Sequence, residues 1–201
     1  MPTRIGLTLG PVLFHWEAAA WRDFHLRIAD EAPVDTVVIG EVVCSKRIPF
    51  VAEHLPAVID RLRAGGKQVL LATLALPTLE RESRAIAELA ASELGMVEAN
   101  DVSVLPVLAD RRHAIGPFVN VYNEGTAGWL AARGAVRICL PPELPAASIA
   151  TIARAVAPAT AIEVFAFGRI PLAISARCYH ARAHGLHKDN CRFVCGEDPD
   201  G

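Results

Sequence analysis

The sequence lacks the features of secreted, membrane-spanning and nucleic-acid-binding proteins. Its N-terminus, MPTRIGLTLGPVLFHWEAAAW, does not have the basic, apolar and small-residue order of a secretory signal. The uncharged apolar stretch Val69–Leu79 is too short to cross a bilayer. The net charge is only −2, so nothing favours a nucleic acid as the partner. We therefore expect a cytoplasmic protein without a transmembrane segment.

Motifs of several common enzyme classes are also absent. No G-x-G-x-x-G follows the first apolar run, which argues against a nucleotide-binding sheet. No G-x-S-x-G surrounds Ser175, and the chain has no H-E-x-x-H. Ser175, His180 and Glu163 supply the residue types of a serine-protease triad, but most chains of this length would do so. Proteolysis is therefore a minor alternative.

Cysteines are few, yet three of the five lie within the last 24 residues, as Cys178-x12-Cys191-x3-Cys195. The segment 168–195 has little helix or strand periodicity, which predicts a loop organised by ligation. Three clustered cysteines and one remote cysteine suit an iron–sulfur cluster or a structural zinc ion. The alternative, a disulfide pair with unpaired neighbours, requires an oxidising compartment that the N-terminus does not indicate.

Short apolar runs alternate with amphipathic stretches along the chain. The runs predict seven strands, at Arg4–Leu9, Asp35–Ile39, Lys67–Thr73, Val97–Ala99, Val119–Tyr122, Val136–Leu140 and Ala161–Phe165. The amphipathic stretches predict helices at Trp16–Asp30, Pro49–Ala64, Leu79–Leu94, Thr126–Ala132 and Ala146–Ala157. Near-continuous apolar strands with helical crossovers are typical of a parallel sheet.

This alternation predicts an α/β fold, either a doubly wound sheet or a (β/α)8 barrel. The missing glycine motif favours the TIM-barrel-like form. We predict a single domain over residues 1–201, with a cysteine-rich loop at the C-terminal end of the barrel. About seven of eight strands are accounted for, and the tail GEDPDG resembles a turn. We therefore expect an incomplete barrel whose chain stops before its natural end.

The fourth ligand of a metal site is a choice between two remote cysteines. Cys44 follows the second strand, Cys139 ends the sixth and Cys178 follows the seventh, so a barrel would bring all three to one rim. Cys139 lies in an apolar run, where a small buried thiol is the commoner role. Cys44 lies in a polar loop beside Lys46 and Arg47, which we expect to lower its pKa. Cys44 is the preferred ligand.

Three segments together resemble the peptidase U32 family. They are GEVVCSKR at 40–47, FVNVYNEGTAGWLAARGAVRICLPPEL at 118–144 and EVFAFGRIPLAISARCYHARAHGLHKDNCRFVC at 163–195. Glu163, Gly168, Ser175 and Cys178 match the family's broader signature. The VCSKR loop and the KDNC-x3-C ending are most similar to the branch that serves ubiquinone biosynthesis. The resemblance covers essentially the whole chain.

The resemblance implies a barrel-like protein with a [4Fe–4S] cluster. It transfers the four cluster ligands onto Cys44, Cys178, Cys191 and Cys195, and it leaves Cys139 outside the ligand set. It also implies oxygen-independent (anaerobic) ring hydroxylation in ubiquinone biosynthesis, carried out as a heterodimer with a UbiU-like homologous subunit. A lipid-binding accessory protein of the same pathway is a further implied partner. Whether this chain is itself an enzyme stays open.

Two other functions are compatible with the same scaffold. One is another enzyme of the wider family, an RNA hydroxylation factor or a peptidase. The other is a non-enzymatic module in which zinc only fixes the loop.

The remaining polar side chains have structural interpretations. We expect the Glu41 carboxylate to pair with Lys46 or Arg47, and we expect His25, on the first helix, to be partly exposed. Three loop histidines either hydrogen-bond around the cluster or are solvated: His180, His184 and His187.

Overall fold

The computed structural model describes residues 5–108 and 111–198, which form seven strands and eight helices. The strands are β1 (Thr8–Leu9), β2 (Thr36–Ile39), β3 (Gln68–Ala72), β4 (Met96–Ala99), β5 (His113–Ile115), β6 (Ala135–Cys139) and β7 (Ala161–Glu163). The helices are α1 (Ala18–Glu31), α2 (Ile48–Ala52), α3 (Leu55–Ala64), α4 (Glu80–Ala91), α5 (Leu105–Leu108), α6 (Glu124–Ala131), α7 (Ala146–Val156) and α8 (Tyr179–Ala183). Short 3-10 turns lie between several of these elements.

The chain divides into two compact units. The first unit combines Met1–Leu71 with Ile174–Gly201, and the second unit is Ala72–Ala173. The clustered cysteines and Cys44 all belong to the first unit, whereas Cys139 belongs to the second. The prediction of a single domain over 1–201 stays a prediction.

In the first unit, β1, β2 and β3 are neighbouring parallel strands. All four residues of β2 are buried, which fits the continuous apolar run that the sequence shows there. Helices α1 and α3 contact each other and contribute buried apolar side chains such as Trp21, Val58 and Leu62. The loop after β2, which contains Cys44, is therefore attached to a buried strand.

In the second unit, β4, β5, β6 and β7 are parallel and adjacent in that order. Apolar side chains of the strands and of α4, α6 and α7 form its core, including Ile86, Ile115, Leu130, Ile138 and Ile152. Burial of these side chains is the main force that holds α4, α6 and α7 against the sheet.

The described strands follow chain order in the sheet, from β1 to β7. Parallel neighbours in sequential order, joined by helices, are the topology of a (β/α)8 barrel. The predicted α/β, TIM-barrel-like fold with about seven strands is therefore confirmed. None of the described helices has the length and apolar character needed to span a bilayer.

The predicted helix Pro49–Ala64 is divided into two. Helix α2 ends at Ala52, and α3 begins at Leu55. Pro56 explains the break, because its ring clashes with the carbonyl of the residue four positions earlier, which is Ala52. The apolar spacing alone did not reveal this interruption.

The predicted strand Val119–Tyr122 is wrong. The strand of this region is β5, at His113–Ile115, and a 3-10 turn covers Pro117–Val119. Pro117 has no N–H to donate to a sheet, and Asn120 has a left-handed backbone with a φ of 60°. Pro117 ends the extended conformation before the predicted strand begins, and Asn120 interrupts it within the predicted range.

The expectation that His25 is partly exposed is also wrong. Its side chain is 1% exposed, and Nδ1 lies 2.7 Å from the carbonyl oxygen of Trp21 in the same helix. Burial lowers the pKa of His25, while the hydrogen bond to Trp21 raises it to a smaller extent. His25 is a core residue of the first unit.

Candidate metal centre

The loop after β2 is organised by one carboxylate. Glu41 Oε1 accepts hydrogen bonds from the backbone N–H groups of Val43 and Cys44, at 2.7 and 2.9 Å. Arg47 donates to the same oxygen and also to the carbonyl of Leu13, at 3.1 Å. The Glu41 and Arg47 side chains are only 10% and 7% exposed. The predicted pairing of Glu41 with a basic neighbour is confirmed, with Arg47 as the partner.

The other three candidate ligands lie on short turns. Cys178 is the N-cap of α8, and its Sγ accepts a backbone N–H three residues later, at 3.5 Å. Between Cys191 and Cys195 the backbone passes through Arg192 and Phe193, whose φ values are 52° and 56°. Such left-handed conformations are uncommon for residues other than glycine, and they persist where the surroundings fix them.

Lys46 connects the two cysteine-bearing segments of the first unit. Its Nζ donates to the carbonyls of Lys188 and Asp189, at 2.7 and 3.1 Å. The same ammonium group lies 3.7 Å from Sγ of Cys191. One cation from the Cys44 loop therefore holds the turn that leads into Cys191 and contacts that thiol directly.

Aromatic rings anchor the Cys191–Cys195 turn. The ring of Phe193 lies 4.9 Å from Phe50 and 5.8 Å from His15, measured between centroids. Lys46 Nζ lies 5.7 Å from the centroid of Phe193. Edge-to-face ring contacts of this kind add to the energy of apolar burial. They shield the turn on the side that faces α2.

The other candidate ligands influence the pKa of Cys195. Burial raises the pKa of Cys195, and Arg47 lowers it to a smaller extent. Three further thiols raise the pKa of Cys195 by charge repulsion: Cys191, Cys44 and Cys178. Thiolates repel in this way only when they lie near one another. In the first unit, Cys195 is therefore within electrostatic range of the three other cysteines to which the resemblance assigns a ligand role.

The expected pKa of Cys44 is wrong in its direction. Burial raises the pKa of this thiol, and it outweighs the lowering effects of the Lys46 backbone N–H, Lys188 and Arg47. Glu41 raises the pKa further. The basic residues of the loop are present as predicted, but the desolvation of Cys44 is the larger effect.

Cys139 lies in a different environment, at the end of β6 in the second unit. Burial raises its pKa to about 12, and the charges of Glu163 and Glu98 contribute in the same direction. A metal ligand must be a thiolate, so this setting is unfavourable for ligation. The assignment of ligands to Cys44, Cys178, Cys191 and Cys195 stays a prediction.

The spacing of the thiols bears on the choice between a cluster and a single zinc ion. None of the five cysteines forms a disulfide. Within residues 5–108 and 111–198, no three thiols lie within 4.8 Å of one another. Zinc–sulfur bonds of about 2.3 Å in a tetrahedral site bring thiolates to about 3.8 Å from each other. A four-iron cluster binds each thiolate to a different iron, so it suits wider spacing.

The loop histidines have partners other than the thiols. His180 and His184 lie 3.1 and 3.5 Å from the same carboxylate oxygen of Asp198. The backbone N–H of His187 donates to Asn190 Oδ1, at 2.9 Å, and this closes the turn before Cys191. A direct role of the histidines around a cluster stays a prediction.

The residues of the hypothetical protease triad each have other contacts. Ser175 Oγ accepts the backbone N–H of Arg177, at 3.2 Å. His180 lies against Asp198, and Glu163 pairs with Arg137 in the second unit. A serine protease needs its nucleophile, base and acid in one hydrogen-bonded series. No contact recorded between the described residues forms that series.

A polar group in the second unit was missed by the sequence interpretation. Glu98, within β4, is 4% exposed, and Asn100, directly after β4, is fully buried. Arg137 and Glu163, on β6 and β7, form an ion pair at 3.1 Å. The signal in the sequence was a glutamate inside the buried strand Met96–Ala99, since carboxylates are rarely fully buried without a reason.

Comparison with known proteins gives the family of this chain. No solved structure matches it. The sequence model of peptidase family U32 matches residues 23–198. The match contains Cys44, Cys178, Cys191 and Cys195 as well as the polar group of the second unit. Because it extends over most of the sequence, the chain belongs to peptidase family U32.

Proposed function

We propose that this chain is a [4Fe–4S] subunit required for oxygen-independent hydroxylation in ubiquinone biosynthesis, and that it acts with a UbiU-like partner. Its cluster would be held by Cys44, Cys178, Cys191 and Cys195. The proposal combines family membership with the similarity of the VCSKR loop and the KDNC-x3-C ending to UbiV. A heterodimer with the UbiU-like subunit, assisted by a lipid-binding protein of the pathway, belongs to the same proposal.

The observation that carries the proposal is the contact between the two cysteine-bearing segments: Lys46, from the Cys44 loop, donates to the carbonyls of Lys188 and Asp189 and lies 3.7 Å from Cys191 Sγ. Cys195 interacts electrostatically with the other three cysteines, whereas Cys139 interacts with Glu98 and Glu163 instead. This separation supports a ligand set that includes Cys44 and excludes Cys139.

The chain's own residues prepare such a site in three ways. Glu41 fixes the backbone N–H groups at Val43 and Cys44. Lys46 brings a positive charge to 3.7 Å from the Cys191 sulfur. The ring of Phe193 packs edge-to-face on Phe50, which helps to fix the turn. A bound cluster would supply transfer of single electrons.

The proposal is tested by purifying the chain without oxygen, alone and together with a UbiU-like subunit. We expect about four irons and four sulfides for each chain, with a broad absorption band in the visible region. Colourless protein that contains zinc would support the zinc-stapled alternative. Cells lacking the endogenous gene should form ubiquinone without oxygen only when both subunits are supplied. Hydroxylation by the isolated chain would contradict the two-subunit model.

Lys46→Met tests the connection between the two cysteine segments. The substitution removes two bonds from a charged donor to backbone carbonyls, which should lower the free energy of unfolding by about 2–3 kcal/mol. It should also speed the loss of iron to a chelator several-fold. Lys67→Met is the matched control, because Lys67 Nζ likewise donates to a carbonyl, that of Ala32, at 2.6 Å. The control should lose stability but retain iron, and equal iron loss in both variants would refute a specific role of Lys46.

A further inference from the structure

The strand register of the second unit separates a polar face from an apolar one. One row across β4 to β7 consists of Glu98, Ala114, Arg137 and Ala161. The next row is apolar and packs in the core: Ala99, Ile115, Ile138 and Ile162. Side chains alternate along a strand, so residues two positions beyond the first row return to its face. They are Asn100, Gly116, Cys139 and Glu163.

This polar face lies at the carboxyl ends of parallel strands. In barrel-like α/β topologies, ligands bind at that end of the strands. The residues of this polar face are buried to different extents. Glu98 and Asn100 are buried, whereas the side chains of Arg137 and Glu163 are 19% and 20% exposed. A small molecule could therefore contact Arg137 and Glu163 from solvent and reach Glu98 beneath them. Three neighbours on the same face have small side chains or none: Ala114, Gly116 and Ala161.

Two hydrogen-bond acceptors converge at Gly116. A Cβ at this position would lie 1.9 Å from Asn100 Oδ1 and 2.9 Å from Glu98 Oε1, so only glycine fits. Asn100 Nδ2 donates to Glu98 Oε1, at 3.1 Å. Asn100 Oδ1, in contrast, is buried and has no hydrogen-bond partner. A buried acceptor without a donor costs about 1–3 kcal/mol, and such groups require a physical explanation. A ligand that supplies the missing donor would provide one.

The composition of the face indicates the chemistry of that ligand. It offers two carboxylates and one amide oxygen, whereas its one guanidinium group, that of Arg137, already contacts Glu163. An anion would meet two carboxylates. A cation would have to lose its hydration in a largely buried site. A neutral hydroxyl group donates one hydrogen bond and carries no charge, so it matches the unpaired acceptor.

We propose that this face binds a small neutral molecule through a hydroxyl group whose single proton is shared between a carboxylate oxygen of Glu98 and Asn100 Oδ1. The inference deepens the proposed function. It rests on that function for the choice of an aromatic ring, because the proposed reaction hydroxylates a ring. A hydroxyl group on an aromatic ring makes the ligand a phenol. It assigns reactant binding to this subunit and to the second unit, whereas the four cysteines belong to the first unit. Glu98 is then the residue that contacts the hydroxyl group directly.

The protonation of Glu98 gives the site a pH dependence. Burial raises the pKa of Glu98 to about 7; the hydrogen bond from Asn100 and the charge of Arg137 lower it, and the charge of Glu163 raises it. A hydroxyl donor binds the carboxylate better than the neutral acid. The affinity for a phenol should therefore increase as the pH rises through about 7. Conversely, the affinity for a phenol should decrease as the pH is lowered through the same range.

The test is calorimetric and ligand-observed NMR titration of the full chain with phenol and with anisole. Anisole keeps the ring but lacks the hydroxyl proton, so it removes the donor without changing the protein. We expect phenol to bind at least about tenfold more tightly than anisole. Glu98→Gln should remove most of that difference and its pH dependence. Glu80→Gln, at an exposed position of α4 in the same unit, is the matched control and should change neither.

Three results would overturn the inference. They are equal binding of phenol and anisole, tighter binding of benzoate, which indicates an anion site, and tighter binding of benzylamine, which indicates a cation site. Iron is measured in the same samples, which separates this inference from the proposed function. Iron-containing protein that does not distinguish phenol from anisole refutes the phenol site alone. Iron-free protein that does distinguish them supports the phenol site and refutes the cluster.

Discussion

Replacing any one of Cys44, Cys178, Cys191 or Cys195 by alanine is expected to remove most of the iron from anaerobically purified protein. Cys139→Ala, in contrast, should retain it. A [4Fe–4S] cluster is held by four thiolates, and the loss of one leaves an iron without its protein ligand. Iron and sulfide analysis together with visible absorption measures the effect. Full iron in Cys44→Ala, with loss in Cys139→Ala, would reverse the choice of the fourth ligand.

The choice between the two remote cysteines has a physical basis in their surroundings. Cys139 is buried beside Glu98 and Glu163, and its pKa is about 12, so a thiolate there is strongly disfavoured. Cys44 is also partly desolvated, but Lys188 and Arg47 act on it in the direction that favours the thiolate. Cys139→Ala is therefore a suitable control, because it removes a half-buried thiol without touching the four-cysteine site.

Much of the fold could be predicted because its strands are buried on both faces. Val37, Val38 and Ile39 are all at most 2% exposed, and such runs stand out in a sequence without any knowledge of their partners. The errors occurred where local backbone chemistry decided the structure. Pro56 divided one helix, and the short strand His113–Ile115 contains too few apolar residues to form a visible run.

The sequence leads to a prediction of the cysteines of the candidate site, which stays a prediction, but it could not reveal the contacts that surround them. Spacing and resemblance identified Cys178, Cys191 and Cys195, and the polar loop identified Cys44. The bond from Lys46 to the carbonyl of Lys188 joins residues 142 positions apart, so no local pattern contains it. The direction of the Cys44 pKa shift could not be predicted from the sequence either, because it depends on how deeply the tertiary structure buries the thiol.

Glu41→Ala is expected to be among the most destabilising single substitutions in the first unit. It leaves Arg47 buried without its carboxylate partner and frees the N–H groups of Val43 and Cys44. Breaking a buried ion pair by removing one member costs about 3–5 kcal/mol. Chemical denaturation followed by circular dichroism measures the loss. Arg27→Ala is the control, since Arg27 pairs with Glu31 at 74% and 60% exposure, and it should leave the unfolding midpoint nearly unchanged.

The double variant Glu41→Met, Arg47→Met separates the ion pair from the loop contacts. Replacing a buried ion pair by apolar side chains of similar size is often neutral or stabilising. Here Glu41 also accepts two backbone N–H groups, so the double variant should recover only part of the stability lost in Glu41→Ala. It should also lose iron faster than wild type, because the backbone of Cys44 is no longer fixed. Wild-type stability and iron retention in the double variant would mean that Glu41 does not hold the cysteine loop, and that Arg47 and Glu41 merely compensate each other's charge.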